Sequence, residues 1–292
     1  MRSRRRPDRR TFGRVAIVGV GLVGGSIGLA LKARGLARHV AGVTLDAKTL
    51  RAALRAGAVD SGTTDLATGL AGASIVILAA GVDALPRLAE AALREAGEAT
   101  LVTDVGSVKR PVVRAAGRDP RFVPGHPMAG SEKSGVGNAD PSLFSGAVVV
   151  LTPARSAPWA VSRASAFWRA LGARPILMSA EDHDARAAAA SHAPYLAAAA
   201  LADALAASAG RLAAGGFRDT TRVAASDPAL WTGILLANRS EVRRSLKAFR
   251  ASLDRIESAL VAGDPRRLRR SLERASRERS RGARAARRTR TP

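Results

Sequence analysis

One histidine of this chain stands in a stretch that is rich in chain-breaking residues. Residues 125–136 read GHPMAGSEKSGV, which places His126 among glycines and a proline, in a chain of 292 residues with only four histidines. An imidazole titrates near neutral pH, so a histidine in such a loop can take the proton of a substrate hydroxyl group. A solvent-exposed or capping histidine is the alternative interpretation. His126 is therefore a candidate general base.

A second stretch has the spacing of a dinucleotide-binding turn. The β-branched run at 15–18 is followed by three glycines in G-x-G-x-x-G spacing and then by a helical pattern. The first glycine permits a tight turn, the second lets the backbone approach a pyrophosphate, and the third allows close packing of helix on strand. A purely structural strand-to-helix turn is the alternative. The spacing predicts a cofactor site that includes Gly19, Gly21, Leu22, Val23 and Gly24.

The end of the second predicted strand bears on which dinucleotide binds. An acidic residue there hydrogen-bonds the adenine ribose of NAD, whereas its absence admits the 2′-phosphate of NADP. The position holds Thr44, with Asp46 and Lys48 following. Asp46 favours NAD if the strand ends late, and Thr44 with Lys48 favours NADP. We predict NAD, with NADP as the alternative, and assign Thr44 and Asp46 to the cofactor site.

Strands and helices alternate through the first half of the chain. After the glycine turn, the pattern predicts strand, helix, strand, helix and strand in HVAGVTL, TLRAALRAGA, ASIVILAAG, DALPRLAEAALREAG and ATLVTDVGS. This alternation is typical of an α/β fold with a Rossmann-type, doubly wound, mainly parallel sheet. Ligands bind beyond the carboxyl ends of such strands, so Asp104 and Ser107 are expected at the cofactor site.

The composition changes near Ser179, where alanine-rich segments with a 3.6-residue apolar period begin. This pattern predicts an all-α C-terminal domain, and its apolar faces predict a homodimer formed through that domain. The predicted organisation is a basic disordered tail at 1–12, a dinucleotide-binding domain at 13–179, a helical substrate and dimerisation domain at 180–264, and an Arg-rich tail at 265–292.

The net charge of +23 is concentrated at the two ends of the chain. Arginine fills six of residues 2–10 and twelve of residues 265–292. Such runs are usually solvated arms, and neither tail has an aromatic residue for base stacking, so we expect no nucleic-acid partner. The absence of cysteine excludes disulfides and cysteine-ligated zinc, and no metal site is predicted. No apolar stretch reaches the roughly 18–20 residues of a membrane span, which predicts a cytoplasmic protein without a membrane partner.

Several motifs together resemble the prephenate dehydrogenase family, which includes arogenate and cyclohexadienyl dehydrogenases. They occur in the family's order over nearly all of the chain between its basic tails, and the HPMAG-S-E and FRD-x-T-R blocks are far more specific than the glycine turn. The motifs are GVGLVGGSIGLAL, TDVGSVK, GHPMAGSEKSGV, EDHD, SHAPYL and GFRDTTRVAASDPALW. The resemblance implies oxidative decarboxylation of prephenate to 4-hydroxyphenylpyruvate, with hydride transfer to NAD or NADP.

The resemblance also implies roles for individual residues. His126 would accept the proton of the C4 hydroxyl, and Ser107 would hydrogen-bond the same hydroxyl or steady the imidazole, with a helix cap as its alternative role. Arg222 would pair with a substrate carboxylate. The other residues assigned to the substrate pocket are His192, Trp231, Gly215 and Glu132. Asp182 and His183 stand at a predicted helix start, where acids also serve as caps, so capping is favoured for them.

The chain departs from the family pattern at Tyr195, where many relatives have a second histidine, and at Thr44, where many have an acid. The first departure leaves prephenate and arogenate both open as substrates. Prephenate is favoured because Glu132 follows the HPMAG-S block. Another Rossmann oxidoreductase that acts on hydroxyacids or imines, and a non-enzymatic polyanion-binding protein, are the remaining alternatives.

Overall fold

The computed structural model describes residues 11–131 and 133–288. The described residues up to 177 contain nine strands, β1 to β9, and six α-helices, α1 to α6. In chain order they are β1 Arg14–Val18, α1 Leu22–Ala33, β2 His39–Val43, α2 Ala47–Arg55, β3 Ser61–Thr63, α3 Leu66–Leu70, β4 Ile75–Leu78, α4 Leu85–Glu95, β5 Leu101–Asp104, α5 Arg110–Ala116, β6 Phe122–Val123, β7 Gly125–Pro127, β8 Val148–Leu151, α6 Pro158–Ala170 and β9 Arg174–Leu177.

Six of these strands form one parallel sheet in the order β3-β2-β1-β4-β5-β6. The register aligns the last residues of neighbouring strands, since Val18 pairs with Leu78 and Leu78 pairs with Asp104. The loops that follow β1, β4 and β5 therefore meet at one edge of the sheet. The predicted Rossmann-type α/β fold is confirmed, and this edge is where such folds bind ligands.

The sheet is covered by apolar side chains on both faces. One cluster combines alternate strand residues such as Ile17 and Ile77 with Phe167 and Trp168 of α6. The other combines Val76 and Val102 with residues of α4 and α5. Strand residues that are buried on both faces explain the continuous apolar runs in the sequence.

A second sheet of three strands, in the order β7-β8-β9, was not predicted. Strand β7 is antiparallel to β8, and His126 pairs with Val150. His126 therefore lies in a short buried strand and not in the loop expected from the surrounding glycines. The pairing fixes the backbone on both sides of the imidazole, whereas a loop would leave it variable.

The later part of the chain is helical, as predicted. A π-helical segment at Ala188–His192 joins the first two of its helices, α7 and α8. The helices are α7 Ala180–Ala187, α8 Ala193–Ala209, α9 Gly215–Thr221, α10 Pro228–Ala237, α11 Arg239–Val261 and α12 Pro265–Arg288. By its internal contacts the chain divides into two compact units, one that ends at Arg239 and one that begins at Ser240. The boundary at 179–180 stays a prediction, and it coincides with the end of the strands, since β9 ends at Leu177 and α7 begins at Ala180.

Both predicted tails differ from expectation where the structure describes them. Phe12 is hydrogen-bonded through its backbone to Leu36 and packs its ring 5.4 Å from that of Phe167, so the ordered chain begins before residue 13. Residues 265–288 form helix α12 rather than a disordered arm. Asp264 caps this helix, and Arg269 pairs with Glu273 one turn later at 2.8 Å, which favours helix formation. Residues 1–10 and 289–292 lie outside the described residues.

Among the helices of the described residues, none has the length and apolar character needed to cross a membrane.

Candidate active site

A cavity of about 740 Å³ lies at the carboxyl edge of the parallel sheet. Its walls come from the β1–α1 turn, the loops after β4 and β5, strand β7 and the helical segments around residues 190–234. Nine of the predicted site residues line it: Gly21, Leu22, Val23, Gly24, Ser107, His126, His192, Arg222 and Trp231. The cavity therefore brings the predicted cofactor turn, the candidate base and the candidate substrate residues to one place.

The glycine turn has the geometry that each glycine was predicted to supply. Gly19 has φ +90°, and a Cβ there would lie 2.2 Å from the carbonyl oxygen of Ala79. At Gly24 a Cβ would lie 2.1 Å from the carbonyl oxygen of Gly19. A Cβ at Gly21 would meet no protein atom within 4 Å, and Gly21 precedes α1 without a side-chain cap. The first N–H groups of α1 are thus available to an anion, as a pyrophosphate site requires.

This difference between the two glycines gives a matched pair of variants. Gly24→Ala should destabilise the fold by about 1–3 kcal/mol, because the methyl group overlaps the turn itself. Gly21→Ala should leave the thermal midpoint unchanged and raise the dissociation constant of NAD roughly tenfold, a cost of about 1.4 kcal/mol, because its methyl group occupies the phosphate approach. Thermal unfolding and NAD titration by calorimetry measure the two effects. Unchanged NAD affinity in Gly21→Ala would contradict the assignment of the turn.

The residues predicted at the ribose end lie outside the described lining of this cavity. Thr44 is buried, and its hydroxyl donates to the backbone oxygen of Asp46 at 2.9 Å. Asp46 is exposed and caps α2, accepting from the backbone N–H and the hydroxyl of Thr49 at 2.8 Å each. These hydrogen bonds lower the pKa of Asp46. Its carboxylate is therefore ionised and accessible, whereas the hydroxyl of Thr44 is turned to the backbone.

Asp104 was predicted to contact the cofactor, but it lies outside the described lining of the cavity. Its side chain is fully buried and pairs with the equally buried ammonium group of Lys109. Its two oxygens also accept from the backbone N–H groups of Gly106 and Gly125, at 2.8 and 3.2 Å. Lys109 completes the arrangement by donating to the carbonyl oxygen of Gly125 at 2.6 Å. Asp104 thus ties the β5–α5 loop to the strand that contains His126.

His126 is almost completely buried, faces the cavity and contacts the side chain of His183. Its Nδ1 lies 2.8 Å from Nε2 of His183, and the two rings meet edge to face. Burial lowers the pKa of His126 well below its ordinary value, and the neighbouring His183 and Lys109 act in the same direction. The imidazole is therefore unprotonated near neutral pH, which is the state that a general base needs.

Behind His183 lies a buried carboxylate. Nδ1 of His183 is 2.8 Å from Oδ1 of Asp184. Asp184 also accepts from the backbone N–H groups of Lys109 and Arg110, at 2.7 and 3.0 Å, and from Nε of Arg110 at 3.2 Å. Burial raises the pKa of Asp184, but the hydrogen bonds from His183 and from the two backbone groups outweigh burial and lower it. Asp184 is thus a buried anion held by α5.

The π-helical segment places His192 in the cavity wall. Single π-turns inside α-helices are frequent at functional sites, because the extra residue redirects side chains. Burial lowers the pKa of His192 to about 4, against the opposing charge of Asp184. The ring lies edge-on to Trp231 at 6.1 Å, and Trp231 stacks flat on Tyr195 at 3.8 Å. His192 and Trp231 therefore belong to one ordered aromatic wall.

Asn238 connects this wall to Asp184. Its amide nitrogen donates to the backbone oxygen of Asp184 at 2.8 Å and lies 3.3 Å from Nδ1 of His192. Its amide oxygen accepts from Arg110 at 3.3 Å. The two cavity-facing histidines thus share one buried polar network.

Four predicted site residues remain: Ser107, Arg222, Gly215 and Glu132. Ser107 lines the cavity two residues before Lys109, which takes the N-cap position of α5, so the capping alternative for Ser107 does not hold. Arg222 begins a short 3-10 turn and is exposed at the cavity. Gly215 begins α9, is exposed, and lies outside the described lining. Glu132 lies outside the described residues.

Sequence reasoning missed the polar network behind the cavity. His183 was favoured as a cap residue, yet Ser179 caps α7 by accepting from the N–H of Asp182, while His183 and Asp184 turn inward. The adjacent pair His-Asp in EDHD was the available signal. Lys109 and Asn238 gave no such signal, because lysine and asparagine are usually exposed and nothing local marks them as buried.

Two family models match successive parts of the chain. Residues 27–177 match a family model described as prephenate dehydrogenase, nucleotide-binding domain, and residues 179–274 match one described as prephenate dehydrogenase, dimerization domain. A prephenate dehydrogenase of Bacillus subtilis is 35% identical over 266 residues, which is 87% of this chain and 72% of that protein.

Two solved structures are similar over nearly their whole length. A prephenate dehydrogenase from Aquifex aeolicus, in complex with hydroxyphenyl propionate and NAD+, has a TM-score of 0.85 and 30% identity, covering 94% of this chain and 99% of that one. An arogenate dehydrogenase from Synechocystis has a TM-score of 0.77 and 30% identity, covering 92% and 99%.

Proposed function

Because this chain belongs to the prephenate dehydrogenase family, we propose that it converts prephenate to 4-hydroxyphenylpyruvate and carbon dioxide, with NAD as the hydride acceptor. One observation carries the proposal: the candidate base His126, the exposed Arg222 and the glycine turn line a single cavity. The reaction needs a base, a cation and a dinucleotide side by side, and this arrangement supplies groups of all three kinds.

NAD fits the glycine turn. The open space at Gly21, the positive φ of Gly19 and the uncapped start of α1 suit a pyrophosphate. Asp46 supplies an ionised, exposed carboxylate near the end of β2, which favours a ribose hydroxyl over a 2′-phosphate. The nicotinamide of the bound cofactor supplies the hydride acceptor, and the protein supplies the proton transfer and the binding of the substrate.

His126 acts on the C4 hydroxyl of the substrate. It takes the hydroxyl proton while the C4–H bond gives up its hydride. The bond between the ring and its carboxylate then breaks and carbon dioxide leaves. The electron pair of that bond remains with the ring and makes it aromatic. The phenolate oxygen takes the proton back from His126, so no net proton is released. Ser107, which lines the same cavity, hydrogen-bonds the hydroxyl during the transfer.

Arg222 binds a carboxylate of the substrate, because its planar guanidinium group matches a carboxylate with two parallel hydrogen bonds. His192 and Trp231 form the wall beside it. Gly215 and Glu132 remain predicted substrate residues. A homodimer formed through the helical part is also proposed, since residues 179–274 match the dimerization domain of the family.

A spectrophotometric assay tests the proposed function. Purified protein is offered prephenate or arogenate, each with NAD or NADP, and reduced nicotinamide is followed by its absorbance. We expect turnover with prephenate and NAD. Turnover with arogenate but not prephenate would replace the proposed substrate by arogenate. Turnover with NADP but not NAD would replace the proposed cofactor. The absence of turnover in all four mixtures would overturn the function.

A further inference from the structure

The buried pair His183 and Asp184 lies behind the candidate base and does not line the cavity. We propose that these two side chains are positioning residues that hold His126 in the tautomer whose Nε2 has no proton, so that this nitrogen faces the substrate as a base. The proposal rests on the proposed function of His126. It adds the reason why a ring with two nitrogens presents the correct one.

The carboxylate of Asp184 is surrounded by hydrogen-bond donors. Two backbone N–H groups and the Nε–H of Arg110 point at its oxygens, at distances of 2.7 to 3.2 Å. All three groups can only donate, and the lowered pKa of Asp184 keeps its carboxylate ionised. Asp184 therefore accepts every hydrogen bond that it makes, including the one from His183.

The direction of the next two hydrogen bonds follows. Because Asp184 can only accept, Nδ1 of His183 has a proton and donates it over 2.8 Å. In a neutral His183 the Nε2 atom then has a lone pair, and it accepts from Nδ1 of His126 over 2.8 Å. In a neutral His126 the proton on Nδ1 leaves Nε2 unprotonated. The buried carboxylate of Asp184 thus sets the tautomer of His126, to which it is connected through His183.

The same hydrogen-bond chain, from Asp184 through His183 to His126, stabilises the proton that His126 takes from the substrate. An imidazolium at His126 is disfavoured by burial and by the charge of Lys109, whose own charge is offset by Asp104. Asp184 is the anion at the far end of this hydrogen-bond chain, and its negative charge favours the protonated form of His126. Arg110 and His192 are the other titratable groups beside this hydrogen-bond chain. His192 has a pKa of about 4 and is therefore neutral near neutral pH.

The contacts of His183 and Asp184 argue against a purely structural role. The cap of α7 is made by Ser179, so neither residue is needed to satisfy the start of that helix. His183 is 2% exposed and has both ring nitrogens within 2.8 Å of another polar side chain. Of the four histidines in the chain, three belong to this buried cluster, and two of them face the cavity.

The test begins with the variant Asp184→Asn and the matched control Asp182→Asn, an exposed acid two residues earlier on the same helix. Nitrogen-15 NMR of the imidazoles should show His126 protonated at Nδ1 in the unaltered protein and in the control. In Asp184→Asn the Nδ1 tautomer should lose its dominance. We expect kcat to fall about tenfold, with the KM for prephenate and the NAD affinity unchanged within about twofold.

The pH profile gives a second readout. Removing an anion makes the protonated form of His126 less favourable, so the acid limb of kcat/KM should move to lower pH in Asp184→Asn. Since Asp184 also holds the start of α5, His183→Phe provides an independent variant that keeps a buried ring but removes both hydrogen bonds. It should reproduce the fall in kcat and the change of tautomer.

A double-mutant cycle separates positioning from general damage. If the pair acts through His126, adding Asp184→Asn to His126→Asn should change kcat by less than about twofold. An equal fall in both backgrounds, or an unchanged His126 tautomer in both Asp184→Asn and His183→Phe, would overturn the proposal. The predicted NMR result in a protein that turns over neither substrate would instead overturn the function and leave the positioning intact.

Discussion

Replacing His126 with asparagine is expected to lower kcat by a factor of about a hundred or more. The substituted amide can still donate to Nε2 of His183, which lies 2.8 Å from Nδ1 in the unaltered protein, so the packing behind the cavity is retained. What is lost is the unprotonated nitrogen that takes the hydroxyl proton. The NAD dissociation constant should stay within about twofold, because the glycine turn is untouched. Steady-state turnover and NAD titration measure the two quantities.

His39→Asn is the matched control for this experiment. His39 lies in β2, and its Nε2 is 2.8 Å from the hydroxyl of Ser61, away from the cavity lining. It should leave turnover unchanged within about twofold. Turnover in His126→Asn equal to that of this control would remove His126 from the mechanism, and equal losses of turnover and thermal stability would point to a folding defect instead.

The cofactor half of the site could be predicted because its information is local. Gly19, Gly21 and Gly24 follow one strand and precede one helix, so a single stretch of sequence contains the whole turn. The steric demands found at Gly19 and Gly24 are those that the spacing predicts. The alternation of strands and helices likewise gave the parallel sheet, since each element is read from its own periodicity.

The catalytic half could be predicted only in part, because its information is not local. His126 and His183 are 57 positions apart and meet at 2.8 Å through the second sheet and α7. The short strand β7 reads as a glycine-rich loop until β8 pairs with it. Asp104 was expected at the cofactor because it ends a central strand, yet the buried Lys109 turns it away from the cavity. Tertiary contacts decided each of these cases.

The prediction of a disordered arm at the arginine-rich end of the chain relied on composition alone, and it was wrong for the described residues. A run of like charges predicts a solvated arm. The described residues 265–288 nevertheless form a helix, because Asp264 caps it and Glu273 lies between Arg269 and Arg277, one turn from each. Glu273, together with Glu278, which pairs with Arg281 at 3.0 Å, offsets part of the repulsion between the arginines.

Replacing Arg222 with glutamine should raise the KM for prephenate by about tenfold to a hundredfold. Glutamine keeps much of the length and polarity but loses the positive charge and the double hydrogen bond to a carboxylate. The interaction exists before and during the reaction, so kcat should change by less than about threefold. Initial rates over a range of prephenate concentrations, at saturating NAD, separate the two parameters.

The exposure of Arg222 adds an ionic-strength test to this prediction. An exposed ion pair is screened by salt, so the KM of the unaltered enzyme should rise with ionic strength, while that of Arg222→Gln should rise much less. Arg211→Gln, an exposed arginine outside the cavity lining, should behave as the unaltered enzyme does. An unchanged KM in Arg222→Gln would assign Arg222 to a structural role. The substrate carboxylate would then need another cation, and the basic groups around the cavity would have to be tested in turn.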